Sequence, residues 1–587
     1  MPRFTFLYNR SNPFGISEDV KLLSTFFKQS AITTKHSMEG PTHADPLEPP
    51  VASDVLFHFE IPVYSWMSWA RVNVLIVNPE WFEEGWKSYM DRFDLFVFKC
   101  SADAKRFQTM YPEVQEERVF VVPWTTHRTP TEYEKYPRSP TAGCLWLLGG
   151  SHSKREAAKK LLPLWDITFP PLTVYTTTSL ELENLPINVT LRVESLGEET
   201  RKSLQAKHSC HLIFSQAEAC SLVAAEGQSA GAYLIGNALP TYVEQYGDCP
   251  DSVTLLPATL IPWKAAMRDT FETENLKSLL EQSLATAFSS NTFQSIQKKK
   301  SEERRALFSQ HVTDLFCRVQ QLWKRSESLG PLPPILSDEE CPPISVITLT
   351  YNRRKFLELC FHNLMITDYP KDKIEWIVVE DSDKQEEQAS DLLMKFGRSC
   401  SPLSFTYHPL QKKHTIGEKR NLAVKRAEHS IVLMMDDDDH YPVTSFRRRV
   451  AWLLKHPWKP KATVCSMIAC YDLVKGMSAV NTPPWTLPLR QRISEATLTF
   501  YKDWWMQQEF PSTSLAEGEA FLEGREGDVL ELPPQQIIVA MSHGASASDR
   551  RLPSDVGQKP SCFWGFPKEF LIFLHRLAGV EIEEIEH

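Results

Sequence analysis

No run of this sequence stays apolar for the length of a membrane-spanning helix. The most apolar region, Val55 to Val77, is interrupted by His58, Glu60 and Arg71. The opening Met1-Pro-Arg-Phe-Thr-Phe-Leu-Tyr8 lacks the charged, apolar and small-residue layout of a secretory signal. The 12 cysteines form no CxxC pair, which fits reduced thiols better than a disulfide framework. A cytoplasmic location is the expectation, and the sequon Asn188-Val-Thr190 then has no glycosylating compartment to act in. A net charge of −10 argues against a dedicated nucleic-acid binder. No repeat of solenoid period is present.

What is present is ordinary soluble composition, 42% hydrophobic and 24% charged, spread over 587 residues. That length is too great for one core and predicts about two to four domains. The most informative stretch is Ser430-Ile-Val-Leu-Met-Met-Asp-Asp-Asp-Asp-His-Tyr-Pro442. Its apolar half, Ile431 to Met435, reads as a buried strand of a parallel sheet. Asp436, Asp437, Asp438 and Asp439 then crowd the strand's end. Such crowding is unfavourable unless positive charge sits among them, so a divalent cation is the economical expectation. Mg²⁺ or Mn²⁺ suits oxygen ligands and leaves positions open for substrate phosphates.

The first half alternates short apolar runs with helical or polar stretches. Arg3–Tyr8, Asp54–Phe59, Val72–Val77, Phe93–Phe98 and Arg118–Val122 are predicted strands, and the pattern restarts after the Pro-rich break at Thr129 to Pro140. Cys144–Leu148, Leu172–Tyr175, His211–Phe214 and Ala232–Ile235 follow, with a helix from Ser151 to Leu162. Before the last strand, Glu218-Ala-Cys-Ser-Leu-Val-Ala-Ala-Glu226 is expected to be helical, with Glu218 at its start and Glu226 two turns along. These residues resemble the retaining family 4 glycosyltransferases of the GT-B fold. The resemblance implies that Glu226 holds the nucleotide's ribose, that Glu218 contacts the donor sugar as a catalytic residue, and that Lys154 or Arg155 meets the diphosphate. It departs from that family in Ala219-Cys220-Ser221 after the first glutamate and in the single Gly15 of the first loop. Leucines from Leu276 to Leu284 predict a helix with one buried face, and the basic run Lys298 to Arg305 reads as a solvated helix face.

In the second half, Ile344–Arg354 is a strand running into a polar loop, Ile374–Val379 ends in Glu380-Asp381-Ser382-Asp383, and Thr415-Ile-Gly-Glu-Lys-Arg-Asn-Leu422 opens a helix. With the acid cluster, this succession resembles a family 2 glycosyltransferase of the GT-A fold. The resemblance implies that Thr350, Tyr351, Asn352 and Arg353 line the nucleotide pocket and that Asp381 meets the base. Lys419, Arg420, Asn421 and Asp437 would lie at the donor, and Asp436 and Asp438 form the DxD motif, with Asp439 adjacent and His543 as a late metal ligand. Inverting transfer needs a carboxylate base, for which Glu517 and Glu519 are the candidates, although neither belongs to the family's usual Glu-Asp pair. Cys470-Tyr-Asp472 and Ser494-Glu-Ala-Thr-Leu-Thr-Phe-Tyr501 followed by Trp504-Trp505 point to the acceptor side, the two tryptophans reading equally as core. The apolar tail Phe563 to Leu577 either packs on its own domain or touches a lipid-linked acceptor or membrane surface.

The expected architecture is α/β. It comprises a GT-B-like module of two Rossmann-like lobes over residues 1–330 (lobes about 1–138 and 139–268, closing helices 269–328), a stiff linker at 331–342, and a GT-A module over 343–587. The expected activity is that of a bifunctional transferase adding two sugars in succession from nucleotide-sugar donors to a growing glycan, on a glycan, glycoprotein or glycolipid acceptor, with a metal-dependent inverting GT-A site and a retaining GT-B site. The alternatives are one active GT-A site beside a non-catalytic lobe, and a carbohydrate-binding scaffold.

Overall fold

The computed structural model describes residues 2–9, 15–27, 32–38, 53–139, 141–182, 185–289, 292–326, 334–481, 483–484, 487–532, 536–543 and 566–579. The chain begins with β1 (Arg3–Asn9), β2 (Ile32–Met38), β3 (Ser53–Phe59), β4 (Ala70–Ile76), β5 (Leu95–Phe98) and β6 (Val119–Val121). They form one parallel sheet in the order β2-β1-β3-β4-β5-β6. Val55 to Phe59 are buried without alternation, as expected for a strand covered on both faces.

A second parallel sheet contains β7 (Cys144–Gly149), β8 (Leu172–Thr176), β9 (Val189–Val193), β10 (Cys210–Leu212), β11 (Tyr233–Asn237) and β12 (Val253–Leu256). Its order is β12-β11-β10-β7-β8-β9, so the chain winds outward in both directions from the β7/β10 pair. The hairpin of β13 (Leu260–Trp263) and β14 (Ala266–Asp269) follows. The two units touch outside their sheets: at Gly15, φ +98°, an added Cβ would lie 2.8 Å from Leu222 Cδ1 of the second unit.

The helix Phe293–Ser326 spans both units. Phe293 packs in the core of the second sheet, whereas Phe308, Val312, Leu315 and Val319 pack in the core of the first. Its basic run is the solvated face expected from sequence only in part: Lys299 is 79% exposed, whereas three other cations of the run are engaged. Lys300 pairs with Asp248 at 2.8 Å, Arg304 lies 4.0 Å over the Tyr246 ring, and Arg305 donates to the carbonyls of Thr126 and Arg128 at 3.0 Å. At the crossing point these cations find carbonyls, a carboxylate and an aromatic face that periodicity does not foresee.

The C-terminal part adds β15 (Ile344–Thr350), β16 (Ile374–Glu380), β17 (Ser404–Pro409), β18 (Ile431–Met434), β19 (Ala462–Cys465), β20 (Ile468–Asp472), β21 (Met477–Asn481), β22 (Ser494–Tyr501), β23 (Val529–Glu531) and β24 (Val539–Ser542). Its main sheet runs β17-β16-β15-β18-β22-β19-β23, with β22 antiparallel to both neighbours. Winding reverses between β15 and β18, which are adjacent and parallel, and open α/β sheets bind ligands at such a point. A small sheet, β21-β20-β24, is covered by the helix Lys568–Ala578, whose Leu571, Leu574 and Leu577 pack with Tyr471 and Met541. The described part of the apolar tail therefore packs on its own domain. Trp69 of the first sheet's unit packs against Trp452 with the rings tilted by 53° and their centroids 5.6 Å apart, and Arg92 lies 4.6 Å over Trp458. Among the described residues no helix is long and apolar enough to cross a membrane.

Candidate functional site

The acid cluster begins where β18 ends, and its turn is clamped from two sides. Asn363 Nδ2 donates to the Asp439 carbonyl at 2.8 Å, and Asn363 Oδ1 accepts from Tyr441 N at 3.1 Å. On the other side His440 and Val539 exchange backbone hydrogen bonds at 3.0 and 2.8 Å, while Asp439 Oδ1 accepts from Met541 N at 2.9 Å. Docking β24 in this way brings His543 Nε2 to 2.9 Å from Asp438 Oδ2. Asp437, Asp438 and Asp439 are buried and Asp436 is partly exposed.

Positive charge does sit among the aspartates, and it belongs to the protein. Arg353, just past β15, donates Nη1 to Asp438 at 2.7 Å and to Asp437 at 3.1 Å. Burial and the Asp438 charge nevertheless push the Asp437 carboxyl up to about 7, against the pull of Arg353. Asp436, Asp438 and Asp439 each present an oxygen within 4.8 Å of the others. Three hard oxygen donors with an imidazole beside them fit Mg²⁺ or Mn²⁺.

Past β15 and β16 lies the expected nucleotide side. Thr350 is buried at the strand end. Tyr351 Oη and Asn352 Nδ2 both donate to Asp383, at 2.8 and 2.7 Å, and Asn352 takes φ +52°, a conformation asparagine tolerates well. Asp381 is buried, accepting from Lys419 Nζ at 2.6 Å and from His414 N at 2.9 Å.

The helix Ile416–Arg426 gives nearly every residue of its first turn a task. Thr415 caps it in a capping box with Glu418. Gly417 is required because a Cβ there would lie 1.8 Å from the Pro511 carbonyl. Lys419 reaches Asp381, and Arg420 pairs with Glu517 at 3.2 Å. Asn421, expected at the donor, turns the other way: it accepts from Trp505 Nε1 at 3.1 Å and Phe510 N at 2.9 Å, and donates to the Phe510 carbonyl at 2.8 Å. Its geometry holds the 505–510 segment rather than a ligand. Trp504 and Trp505 are themselves core residues, which removes them from the acceptor side.

Glu517 and Glu519 sit at the start of the helix Glu517–Leu522 but in different surroundings. Glu517 is buried against Arg420, whereas Glu519 is partly exposed and accepts from Gln491 Nε2 at 2.7 Å.

Against known proteins, residues 345–502 match the profile of Glycosyl transferase family 2. The C-terminal part carries a glycosyltransferase family 2 domain. A curated relative, the poly(ribitol-phosphate) beta-N-acetylglucosaminyltransferase TarS of Staphylococcus aureus, is 29% identical over 113 residues. That alignment covers 19% of each protein, so the chain spans about a fifth of its curated relative's length. Among solved structures, S. aureus TarS 1–349 in complex with UDP-GlcNAc is 20% identical, with TM-score 0.27, covering 35% of this chain and 59% of that one. The mannosyltransferase PcManGT from Pyrobaculum calidifontis, in complex with GDP-Man and Mn²⁺, is 17% identical with TM-score 0.28, covering 37% and 62%. The GtfA/B complex is 14% identical with TM-score 0.34, covering 47% and 57%.

Within the family 2 domain, the stretch Ser494–Tyr501 expected on the acceptor side includes Glu495, which sequence reasoning did not single out. Glu495 lies half-buried on β22 and accepts from Gly518 N at 3.3 Å.

Outside the family 2 domain, the helix expected from Glu218 starts only at Leu222, capped by Ser221 Oγ accepting from Ala224 N at 3.3 Å. Glu218 therefore lies in the preceding loop, where it pairs with Lys154 at 3.2 Å. Arg155 follows Lys154 in the helix His152–Leu161. Glu226 is only 2% exposed, and both its oxygens have protein partners. Arg128 Nε at 2.9 Å and Arg201 at 3.3 Å hold one oxygen, and Gln205 Nε2 at 2.7 Å the other. His58 is fully buried, with Nδ1 accepting from Val63 N at 3.0 Å and Nε2 3.1 Å from Asn73 Oδ1.

Proposed function

We propose that the chain is a glycosyltransferase whose family 2 domain moves a sugar from a nucleotide-sugar donor to a glycan hydroxyl with inversion. The observation that carries this reading is the meeting of Arg353 with the acid turn at the β15/β18 switch point, beside three aspartate oxygens spaced to share a cation. Asp436, Asp438 and Asp439, with His543 beside them, would hold Mn²⁺ or Mg²⁺, which when bound neutralises the donor diphosphate. The remaining chemistry belongs to side chains. Arg353 adds a fixed positive charge toward the leaving group. Tyr351 and Asn352 are shaped by Asp383 into the wall of the nucleotide pocket, and the Asp381–Lys419 pair sets its floor. The acceptor's proton goes to a carboxylate across the site from the nucleotide, with Glu517 and Glu519 the candidates from sequence.

We place the module boundaries at 1–330, 331–342 and 343–587 and take the first module as GT-B-like. Two parallel six-stranded sheets and the shared helix Phe293–Ser326 support that reading. The pairing of Glu226 with Arg128 and Gln205 favours a second reading in which this module binds acceptor without transferring sugar. The test is UDP, GDP and dTDP release from a panel of nucleotide sugars by the full chain, with and without Mn²⁺, UDP-GlcNAc being the first donor because of the relative's activity. Release lost in Asp436→Ala/Asp438→Ala supports the family 2 site. A further release that survives this change and disappears in Glu218→Ala would assign activity to the first module.

A further inference from the structure

We infer that Glu495 is the carboxylate that takes the acceptor's proton, an assignment that rests on the inverting reading of the family 2 site. Its position follows from strand register. β22 runs antiparallel to β18, with Leu433 opposite Thr499 and Val432 opposite Phe500. Tyr441 extends that register past the strand end, because its hydroxyl accepts from Asp436 N at 2.9 Å and donates to the Ala496 carbonyl at 3.0 Å. Glu495, next along β22, therefore stands at the level of the acid turn.

The two carboxylates named from sequence are engaged elsewhere. Protonating Glu517 would take from the buried Arg420 its ion-pair partner at 3.2 Å, which makes Glu517 a poor proton acceptor. Glu519 is drawn to the surface by Gln491 at 2.7 Å and Arg490 at 3.9 Å. The backbone is built around Glu495 instead. Gly518 donates its N–H to Glu495 Oε1, and a Cβ at that glycine would lie 2.6 Å from the same oxygen and 2.7 Å from Ile493 Cδ1. Glycine at 518 leaves room for the Glu495 carboxylate. Burial and the neighbouring Glu517 push the Glu495 carboxyl up to about 7, against the pull of Arg420, which suits proton uptake near neutrality.

In the step, a lone pair of the acceptor oxygen forms the new bond to the sugar's anomeric carbon. The bond from that carbon to the diphosphate oxygen breaks, and its electron pair leaves with the nucleoside diphosphate. The acceptor O–H proton passes to Glu495, which returns it to solvent after product leaves.

The experiment uses the full chain with Mn²⁺ and the panel donor that wild type turns over, water serving as acceptor. It measures nucleotide release over pH together with calorimetric UDP affinity. Glu495→Gln is expected to lower release by ~10²–10⁴-fold, with UDP affinity within about threefold of wild type and the acid limb of the pH profile gone. Glu495→Asp, which keeps a carboxylate, is expected to restore part of the rate and the acid limb, and it serves if the glutamine variant fails to fold. Wild-type release and an unchanged acid limb in Glu495→Gln overturn the assignment while leaving the transferase reading intact. A wild-type chain that releases no nucleotide from any donor overturns both.

Discussion

Arg353 and Asp438 meet at 2.7 Å, joining the loop after β15 to the acid turn after β18. The guanidinium also reaches Asp437, so the aspartate cluster carries an internal counter-charge before any cation arrives. Arg353→Ala should then raise the repulsion within the turn, at a cost of about 3 kcal/mol for breaking a largely buried pair. Added Mn²⁺ should recover much of this loss, and thermal melts should show a larger Mn²⁺-induced rise in Tm for the variant than for wild type. Equal rises would show that the arginine and the cation do not share a site.

Asn421 separates ligand binding from architecture. Its side chain makes hydrogen bonds to Trp505 and Phe510 only within the protein core. Asn421→Ala is expected to lower stability by about 2–4 kcal/mol, because buried polar partners are left unpaired. Denaturant unfolding reads the loss, and calorimetry on the folded fraction should find UDP affinity changed by less than about threefold. A selective loss of UDP affinity would return Asn421 to the donor pocket.

Glu226 poses the corresponding question in the first half. Removing one partner from a buried ion pair costs about 3–5 kcal/mol, and Arg128, 1% exposed, would be left with the half-exposed Glu198 at 3.3 Å. Glu226→Ala should therefore unfold the first half at lower denaturant while UDP release from the family 2 site persists. A variant of wild-type stability that loses a separate donor activity would support the ribose-binding role instead.

Acid should weaken the first half through buried histidines. Burial lowers His58 to about 4 and His211 to about 3. As a neutral ring, His58 accepts from Val63 N at 3.0 Å on Nδ1 and lies 3.1 Å from Asn73 Oδ1 on Nε2, so both nitrogens are used without a second proton. Between roughly pH 6.5 and 4 the unfolded chain binds more protons than the native one, so stability rises with pH across that window and falls as pH drops through it. Each such histidine contributes a slope approaching about 1.4 kcal/mol per pH unit. Unfolding free energies of His58→Gln, measured at closely spaced pH values, should show a shallower slope than wild type. An unchanged slope would mean that His58 is protonated in the folded chain.

Much of this fold was legible because parallel strands buried on both faces are written as unbroken apolar runs, as in Val72–Val77 and Ile431–Met435. The edge strands were not. Ile32-Thr-Thr-Lys-His-Ser-Met38 forms β2, and Val189-Thr-Leu-Arg-Val193 forms β9, with polar residues that edge positions tolerate. In the site, the acid turn, Arg353, Lys419 and His543 were readable because they follow strand ends or open a helix. Glu495 lay within the stretch Ser494–Tyr501 expected on the acceptor side but was not singled out, since its surroundings depend on an antiparallel neighbour and on the missing side chain at Gly518, both of which are distant in sequence. The same limit explains Asn421. Composition and spacing place it beside two site cations, but only packing shows which way it points.

The central claim is that Asp436, Asp438 and Asp439 hold a cation that in turn holds a donor's diphosphate, and calorimetric titration of UDP into the full chain tests it most directly. With Mn²⁺ present, wild type should bind UDP with an affinity that falls by at least ~10²-fold on chelation or in Asp436→Ala/Asp438→Ala, while its melting curve still reports a folded chain. UDP binding that is indifferent to Mn²⁺ and to both substitutions would contradict it.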